Sequence, residues 1–114
     1  MSVINVKVKY IRPEYNNLEE WMQDENNVYI GRKGIVFINN QRFPLESSPF
    51  ANPFKITSIN SREIVLEQYE IYIREKIETG AVSLLELQGK TLGCWCHPEP
   101  CHGDILLRLI EEYE

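Results

Sequence analysis

Apolar and polar residues alternate from Ile4 through Val6 and Val8 to Tyr10, with Asn5, Lys7 and Lys9 between them. A period of two predicts a half-buried strand over residues 4–8, and Pro13 closes the segment. Leu18, Trp21 and Met22 predict a short amphipathic helix with Glu19 and Glu20 outward, broken by Asn26 and Asn27. Val28, Tyr29 and Ile30 read as a second strand that runs into Gly31-Arg32-Lys33-Gly34. Residues 35–38 and 41–43 flank Asn39-Asn40, and asparagine tolerates positive φ, so a tight hairpin is expected there. Residues 45–60 hold serines, prolines and asparagines without periodicity and read as a long irregular loop, a kind of segment that often carries function.

The clearest helix follows, with Asn60 and Glu63 as a capping box and Leu66, Tyr69, Ile73 and Ile77 on one face, Val65 and Tyr72 beside them. Gly80 supplies its left-handed end. Ser83 with Glu86 opens a shorter helix that Gly89 ends. Residues 91–96 carry few charges between Gly89-Lys90 and Pro98, and predict a buried strand. After the rigid Pro98-Glu99-Pro100 turn a helix begins at Cys101, with Leu106, Leu109, Ile110 and Tyr113 as its stripe. Strands alternating with helices predict an α/β fold: a small sandwich with a mainly parallel sheet, flanking helices and a small hairpin insertion.

Composition narrows the class. A chain of 114 residues fits one domain spanning 1–114. Its 12 basic and 17 acidic residues give a formal charge of −5, which argues against a general nucleic-acid coat. Hydrophobic residues at 43% and charged residues at 25% match a globular protein rather than a disordered one. No stretch is long and apolar enough to span a membrane, and the start of the chain lacks a signal-peptide block, so a cytoplasmic location is expected. No pattern fixes an oligomeric state. No Walker loop, dinucleotide glycine motif or zinc-protease helix occurs, and no cofactor is expected.

All three cysteines, Cys94, Cys96 and Cys101, lie in Gly93-Cys94-Trp95-Cys96-His97-Pro98-Glu99-Pro100-Cys101-His102-Gly103-Asp104. On a strand, Cys94 and Cys96 share a face, at the carboxyl edge where open α/β sheets bind ligands. A helix N-terminus offers free amides and a partial positive charge that favours thiolate, which makes Cys101 the expected reactive sulfur. Three readings stay open. Cys101 serves as nucleophile or contact thiolate in an anion pocket with His102 or His97 as proton carrier. Cys94, Cys96, Cys101 and His102 form a zinc site that stabilises a non-catalytic binding or interaction module, although the single residue between Cys94 and Cys96 is short for such motifs. Or the cysteines fill space as small hydrophobes.

The segments Val28-Tyr29-Ile30-Gly31-Arg32, Asn52-Pro53-Phe54, Ser61-Arg62-Glu63 and Leu92-Gly93-Cys94-Trp95-Cys96, with Pro98, Pro100 and Cys101-His102-Gly103-Asp104, resemble the family catalogued as domain of unknown function 4326, found in bacteria and phages. Here residues 34–49 are longer than that family's usual pattern. The strand–turn–Cys-His–helix unit also looks like that of domain of unknown function 488. The resemblance implies a fold and a site location, and no reaction.

The expected pocket lies between Arg32, Asn52 and the 94–102 turn. Cys101 and His102 are the catalytic candidates; Arg32, Asn52, Cys94, Cys96 and Gly103 are the ligand-binding candidates; no metal ligand is assigned. Arg32 beside Gly31 and Gly34 suits a phosphate or carboxylate, or is a solvated turn residue contributing little to stability. Asn52 and Phe54 offer an amide and a ring to a planar ligand, or form a turn with Phe54 packed inward. Arg62 is a second candidate anion contact, and Trp95 is read as core. The expected partner is a small anionic ligand of nucleotide or nucleobase type, bound partly by the Cys101–Gly103 amides. The acidic surface alone would suit a host-directed interaction protein.

Overall fold

The computed structural model describes residues 2–113; Met1 and Glu114 lie outside the described residues. Three strands form a parallel sheet in the order β1 (Ser2–Asn5), β5 (Thr91–Cys94), β2 (Asn27–Tyr29), with β5 central. Ser2 is in register with Thr91 and Asn5 with Cys94 on one side; Asn27 faces Thr91 and Tyr29 faces Gly93 on the other. A separate antiparallel hairpin pairs β3 (Val36–Ile38) with β4 (Gln41–Phe43), and Asn39 and Asn40 take φ of 52° and 65° at its turn. The fold is therefore the expected mixed α/β type, with a parallel sheet flanked by helices and a small hairpin.

Both faces of the sheet are covered. On one, Val3, Ile30, Leu92 and Cys94 pack with Tyr69 and Ile73 of α3 (Arg62–Glu78) and Leu106, Leu109 and Ile110 of α4 (His102–Glu112). On the other, Val6 and Tyr29 pack with Leu18 and Trp21 of α2 (Leu18–Gln23). Gly93 is where α2 presses closest: a β-carbon there would stand 2.4 Å from the Trp21 ring and 2.6 Å from Val6. Among the described residues no helix is long and apolar enough to cross a membrane.

Several element boundaries differ from expectation. The first strand ends at Asn5 rather than residue 8, and the chain turns into α1 (Val8–Ile11). The partner strand stops at Cys94, with the Val6 amide on the Cys94 carbonyl as the last bond between them. The Asn5 side chain then accepts the Lys7 amide and bends the chain away. Tyr10 is consequently 56% exposed, and the alternation beyond Val6 marks no buried face. The long helix is capped by Ser61, whose Oγ accepts the Ile64 amide, rather than by Asn60. Asn60 belongs instead to a closed turn with Thr57, which takes its amide. The segment after Ser83 is one 3₁₀ turn, Leu84–Glu86. The last strand ends at Cys94, short of Cys96. Tyr113, expected on the buried stripe of α4, is 49% exposed.

Candidate functional site

The carboxyl ends of β2 and β5 open into a cleft of about 470 Å³ lined mainly by apolar atoms. Its floor is formed by residues 94–96 and 101–102, and Asn52, residues 54–56 and the start of α3 form its walls. Of the residues singled out from sequence, Arg32, Asn52, Cys94, Cys96, Cys101 and His102 all line it, together with Phe54, Arg62 and Trp95. Gly103 does not line it. It is buried where α4 crosses β1, and a β-carbon there would meet Val3 at 2.9 Å and Ile30 at 3.0 Å.

The turn from Cys94 to Cys101 brings two sulfurs together: Cys94 Sγ lies 3.3 Å from Cys101 Sγ. The pair is asymmetric. A hydrogen bond from the Cys101 thiol holds the Cys94 thiol group below its ordinary range, and the backbone amides of Cys96 and His97 and the nearby His97 ring reinforce that against burial. Cys101 is pushed the other way, first by hydrogen bonding to Cys94, then by burial and by the negative charge of Cys94; Asp104 adds to this. Both shifts run the same way: they favour Cys94 as the sulfur that carries negative charge. These directions run against the expectation that the helix N-terminus makes Cys101 the more acidic sulfur. The charge already on Cys94 and the Asp104 carboxylate outweigh the Gly103 amide, the one contribution lowering Cys101.

The α4 N-terminus is also less open than expected. The Cys101 amide donates to Asp104 Oδ2 at 3.0 Å, and the Gly103 amide serves the Cys101 sulfur. An anion at the Cys101–Gly103 amides would have to displace both.

His102 is fixed by the sheet. Its Nε2 stands 2.6 Å from the Ile30 carbonyl and must donate to it, which leaves Nδ1 as the acceptor. Burial lowers the His102 pKa and the charge of Arg32 adds to this, against the Ile30 carbonyl and Asp104, which raise it. Tyr69 packs edge-on against it, with ring centroids 5.1 Å apart. Among the described residues, no group of three or more His, Cys, Asp or Glu side chains is close enough to hold a metal ion.

Arg32 works inside the scaffold. Its Nε donates to the Asn52 carbonyl and its Nη2 to the Phe54 carbonyl, each at 2.8 Å, so it ties the long loop to the end of β2. It is not the loosely solvated turn residue that the sequence allowed. Asn52 turns its own Oδ1 onto the Phe54 amide at 2.9 Å, and Phe54 packs edge-on against Tyr72, centroids 5.8 Å apart. Arg62 donates from Nη1 to the Pro100 carbonyl at 2.8 Å, holding the proline turn to α3. Trp95 packs on the far side of the sheet from the sulfurs, half-buried, with its indole N–H on the Tyr29 hydroxyl at 2.8 Å.

Two residues of the site escaped the sequence reading. Asn5, 8% exposed, donates from Nδ2 to the His97 carbonyl at 2.9 Å and the Trp95 carbonyl at 3.3 Å. It pins the turn whose amides hold the Cys94 sulfur. Nothing in an alternating strand marks such a position. Lys55 lines the cleft beside Phe54 and adds a third cation to Arg32 and Arg62.

The class is thus a small α/β domain with a cysteine-bearing turn at the carboxyl edge of a parallel sheet. The chain belongs to a family described as a domain of unknown function, DUF4326, whose sequence profile matches residues 14–112. It is similar to "Uncharacterized protein R718" of Acanthamoeba polyphaga mimivirus, 36% identical over 99 residues, covering 77% of this chain and 72% of that protein. It is also similar to "Uncharacterized 12.4 kDa protein in nrdA-td intergenic region" of Enterobacteria phage T4, 38% identical over 53 residues, covering 44% of this chain and 49% of that protein. No solved structure matches.

Proposed function

We propose that this domain binds a small anionic ligand of nucleotide or nucleobase type in the cleft at the carboxyl edge of its sheet, in the reducing cytoplasm where its thiols stay free. The observation that carries the reading is the sign of the lining. Arg32, Lys55 and Arg62 line the cleft with no Asp or Glu among the lining residues, in a chain of formal charge −5. The apolar remainder, with Phe54, Ile56, Val65 and Leu66 in it, suits a planar base better than a bare inorganic anion. The volume of about 470 Å³ falls in the range of small-molecule sites, roughly 300–1,000 Å³. Lys55 and the free edges of Arg62 and Arg32 supply charge-assisted contacts, because each arginine gives only part of its donor set to backbone carbonyls. Any chemistry in the cleft would use Cys94 as the nucleophile, Cys101 as its hydrogen-bond donor and His102 Nδ1 as the proton acceptor.

Calorimetric titration with nucleoside monophosphates, the matching nucleosides and inorganic phosphate tests this. Saturable binding is expected for a monophosphate, weaker for its nucleoside. Lys55→Ala should weaken it by roughly 1.5–3 kcal/mol, the worth of a charge-assisted bond. Absence of saturable binding across the series overturns the reading, as does binding that Lys55→Ala and Arg62→Ala leave unchanged.

A further inference from the structure

We propose that Cys94 and Cys101 form a two-electron redox centre that reduces a small hydroperoxide and closes to a disulfide, independently of any ligand in the cleft. Three observations carry this. The sulfurs are 3.3 Å apart with nothing between them, and a disulfide of ordinary length needs them roughly 1.3 Å closer, within reach of side-chain rotation. They sit on different elements, Cys94 at the end of β5 and Cys101 capping α4, joined by the 95–100 turn. Third, both line the cleft, yet Cys94 is 1% and Cys101 2% exposed. That combination favours an oxidant as small as hydrogen peroxide over a bulky disulfide such as oxidised glutathione. Cys96 is half-buried in the turn and its amide, not its sulfur, serves Cys94.

The steps balance with the hydroperoxide as oxidant. The Cys94 thiolate attacks the distal peroxide oxygen, the O–O bond breaks, and Cys94 becomes a sulfenic acid. The departing alkoxide or hydroxide takes the Cys101 thiol proton and leaves as alcohol or water. The Cys101 thiolate attacks Cys94 Sγ, the S–O bond breaks, and the released hydroxide takes a proton from solvent to form water. Two cysteine sulfurs are oxidised and the peroxide is reduced by two electrons. A small thiol reductant returns the pair by exchange at the disulfide. Closure removes the negative charge of Cys94 from the cleft floor.

The test treats the reduced wild-type protein with hydrogen peroxide, caps the remaining thiols by alkylation and maps the peptides. The expected product carries a Cys94–Cys101 disulfide and an alkylated Cys96, and a dithiol reverses it. Cys101→Ser should stop at a Cys94 sulfenic acid that a 1,3-dione traps. Cys94→Ser should oxidise roughly tenfold or more slowly, because the remaining buried thiol lacks thiolate character. Oxidised glutathione should act much more slowly than peroxide on the folded protein and comparably on the protein in denaturant. A disulfide that includes Cys96, direct passage of wild-type Cys94 to sulfinic acid, or equal rates at all three cysteines overturns the proposal. The wild-type map decides these without any variant having to fold.

Discussion

Two segments enclose the cleft, and they are held in opposite ways. The 94–101 turn is fastened from the sheet and from α3. Asn5 holds two of its carbonyls, Arg62 holds the Pro100 carbonyl, and the Val6 amide closes on Cys94. The 45–60 loop has as many ties to the scaffold, but all of them fall before residue 55. Arg32 reaches the Asn52 and Phe54 carbonyls, Tyr69 donates to the Phe50 carbonyl at 2.7 Å, and the Ser48 amide donates to the Gly31 carbonyl. Beyond Phe54 its bonds are internal, from the Ile59 and Asn60 amides to Thr57 Oγ1. The chemistry-bearing sulfurs are on the fixed wall, and Phe54, Lys55 and Ile56 are on the adjustable one. Preorganised reactive groups facing a compliant wall let one site keep its geometry while accommodating ligand shape.

The largest effect should come from the fixed wall. Asn5→Ala removes the donor for the Trp95 and His97 carbonyls and the acceptor for the Lys7 amide. Leaving such groups unpaired inside the protein should cost about 2–4 kcal/mol in urea unfolding. The same variant should slow alkylation of Cys94, because the Cys96 and His97 amides that hold its charge are no longer aimed. A loss below 1 kcal/mol would mean that the turn is held by its own covalent stiffness and not by the sheet.

The sulfur pair makes the fixed wall sensitive to pH, and the sign follows from the two shifts. Cys94 is lowered and Cys101 raised relative to free thiols. Below the depressed Cys94 value both states are fully protonated and the pair contributes no slope. From there up to the ordinary thiol range near ~8.5, the folded protein has lost one proton that the unfolded chain still holds. Stability should rise across that window, by at most ~1.4 kcal/mol per pH unit. Above it the unfolded chain has released both protons and the folded protein one, so stability should fall. Unfolding of wild type and of Cys94→Ser/Cys101→Ser at several pH values isolates this maximum. Parallel profiles for the two proteins would show that the sulfurs share no charge.

These dependencies mark what the sequence could and could not announce. The stripes that pack α3 and α4, the Asn39-Asn40 turn and the parallel strands were legible because period and turn chemistry are local. The position of the cleft was legible too, from glycines, prolines and a Cys-His pair bounding a short apolar run. The proton's place was not. It depends on Cys101 donating across the turn to Cys94 and on Asp104, whose charge opposes the helix end. Asn5 was illegible for a stronger reason. In the chain it looks like the polar phase of an alternating strand, and its partners are 90 and 92 residues away. Arg32 fails similarly, since a guanidinium that ties two carbonyls of a distant loop has the same sequence context as one left free for an anion.

On the adjustable wall Arg32 should show a middling effect. Arg32→Ala removes two charge-assisted bonds to carbonyls that can then turn toward water, so the expected cost is about 1–2 kcal/mol. Arg32→Lys should recover little of it, because a single ammonium cannot span the Asn52 and Phe54 carbonyls as a fork does. In both variants trypsin should cut after Lys55 faster than in wild type, while Cys94 alkylation stays unchanged. Coupled changes at both positions would mean that the two walls move as one.

The smallest effect belongs to the tip of the same wall. Ile59 is 84% exposed and Ile56 52%, so Ile59→Ser takes almost no apolar surface away from a packed environment. Its side chain holds no part of the local turn, which Thr57 Oγ1 closes through backbone amides. Stability should therefore change by less than about 0.5 kcal/mol, the range of surface substitutions without a packing role. A destabilisation above 1 kcal/mol in urea would place the tip against the protein in solution and turn the adjustable wall into a second fixed one. If stability holds but a nucleoside monophosphate binds more weakly to Ile59→Ser, the tip closes on the base, and the compliance of this wall is used in binding.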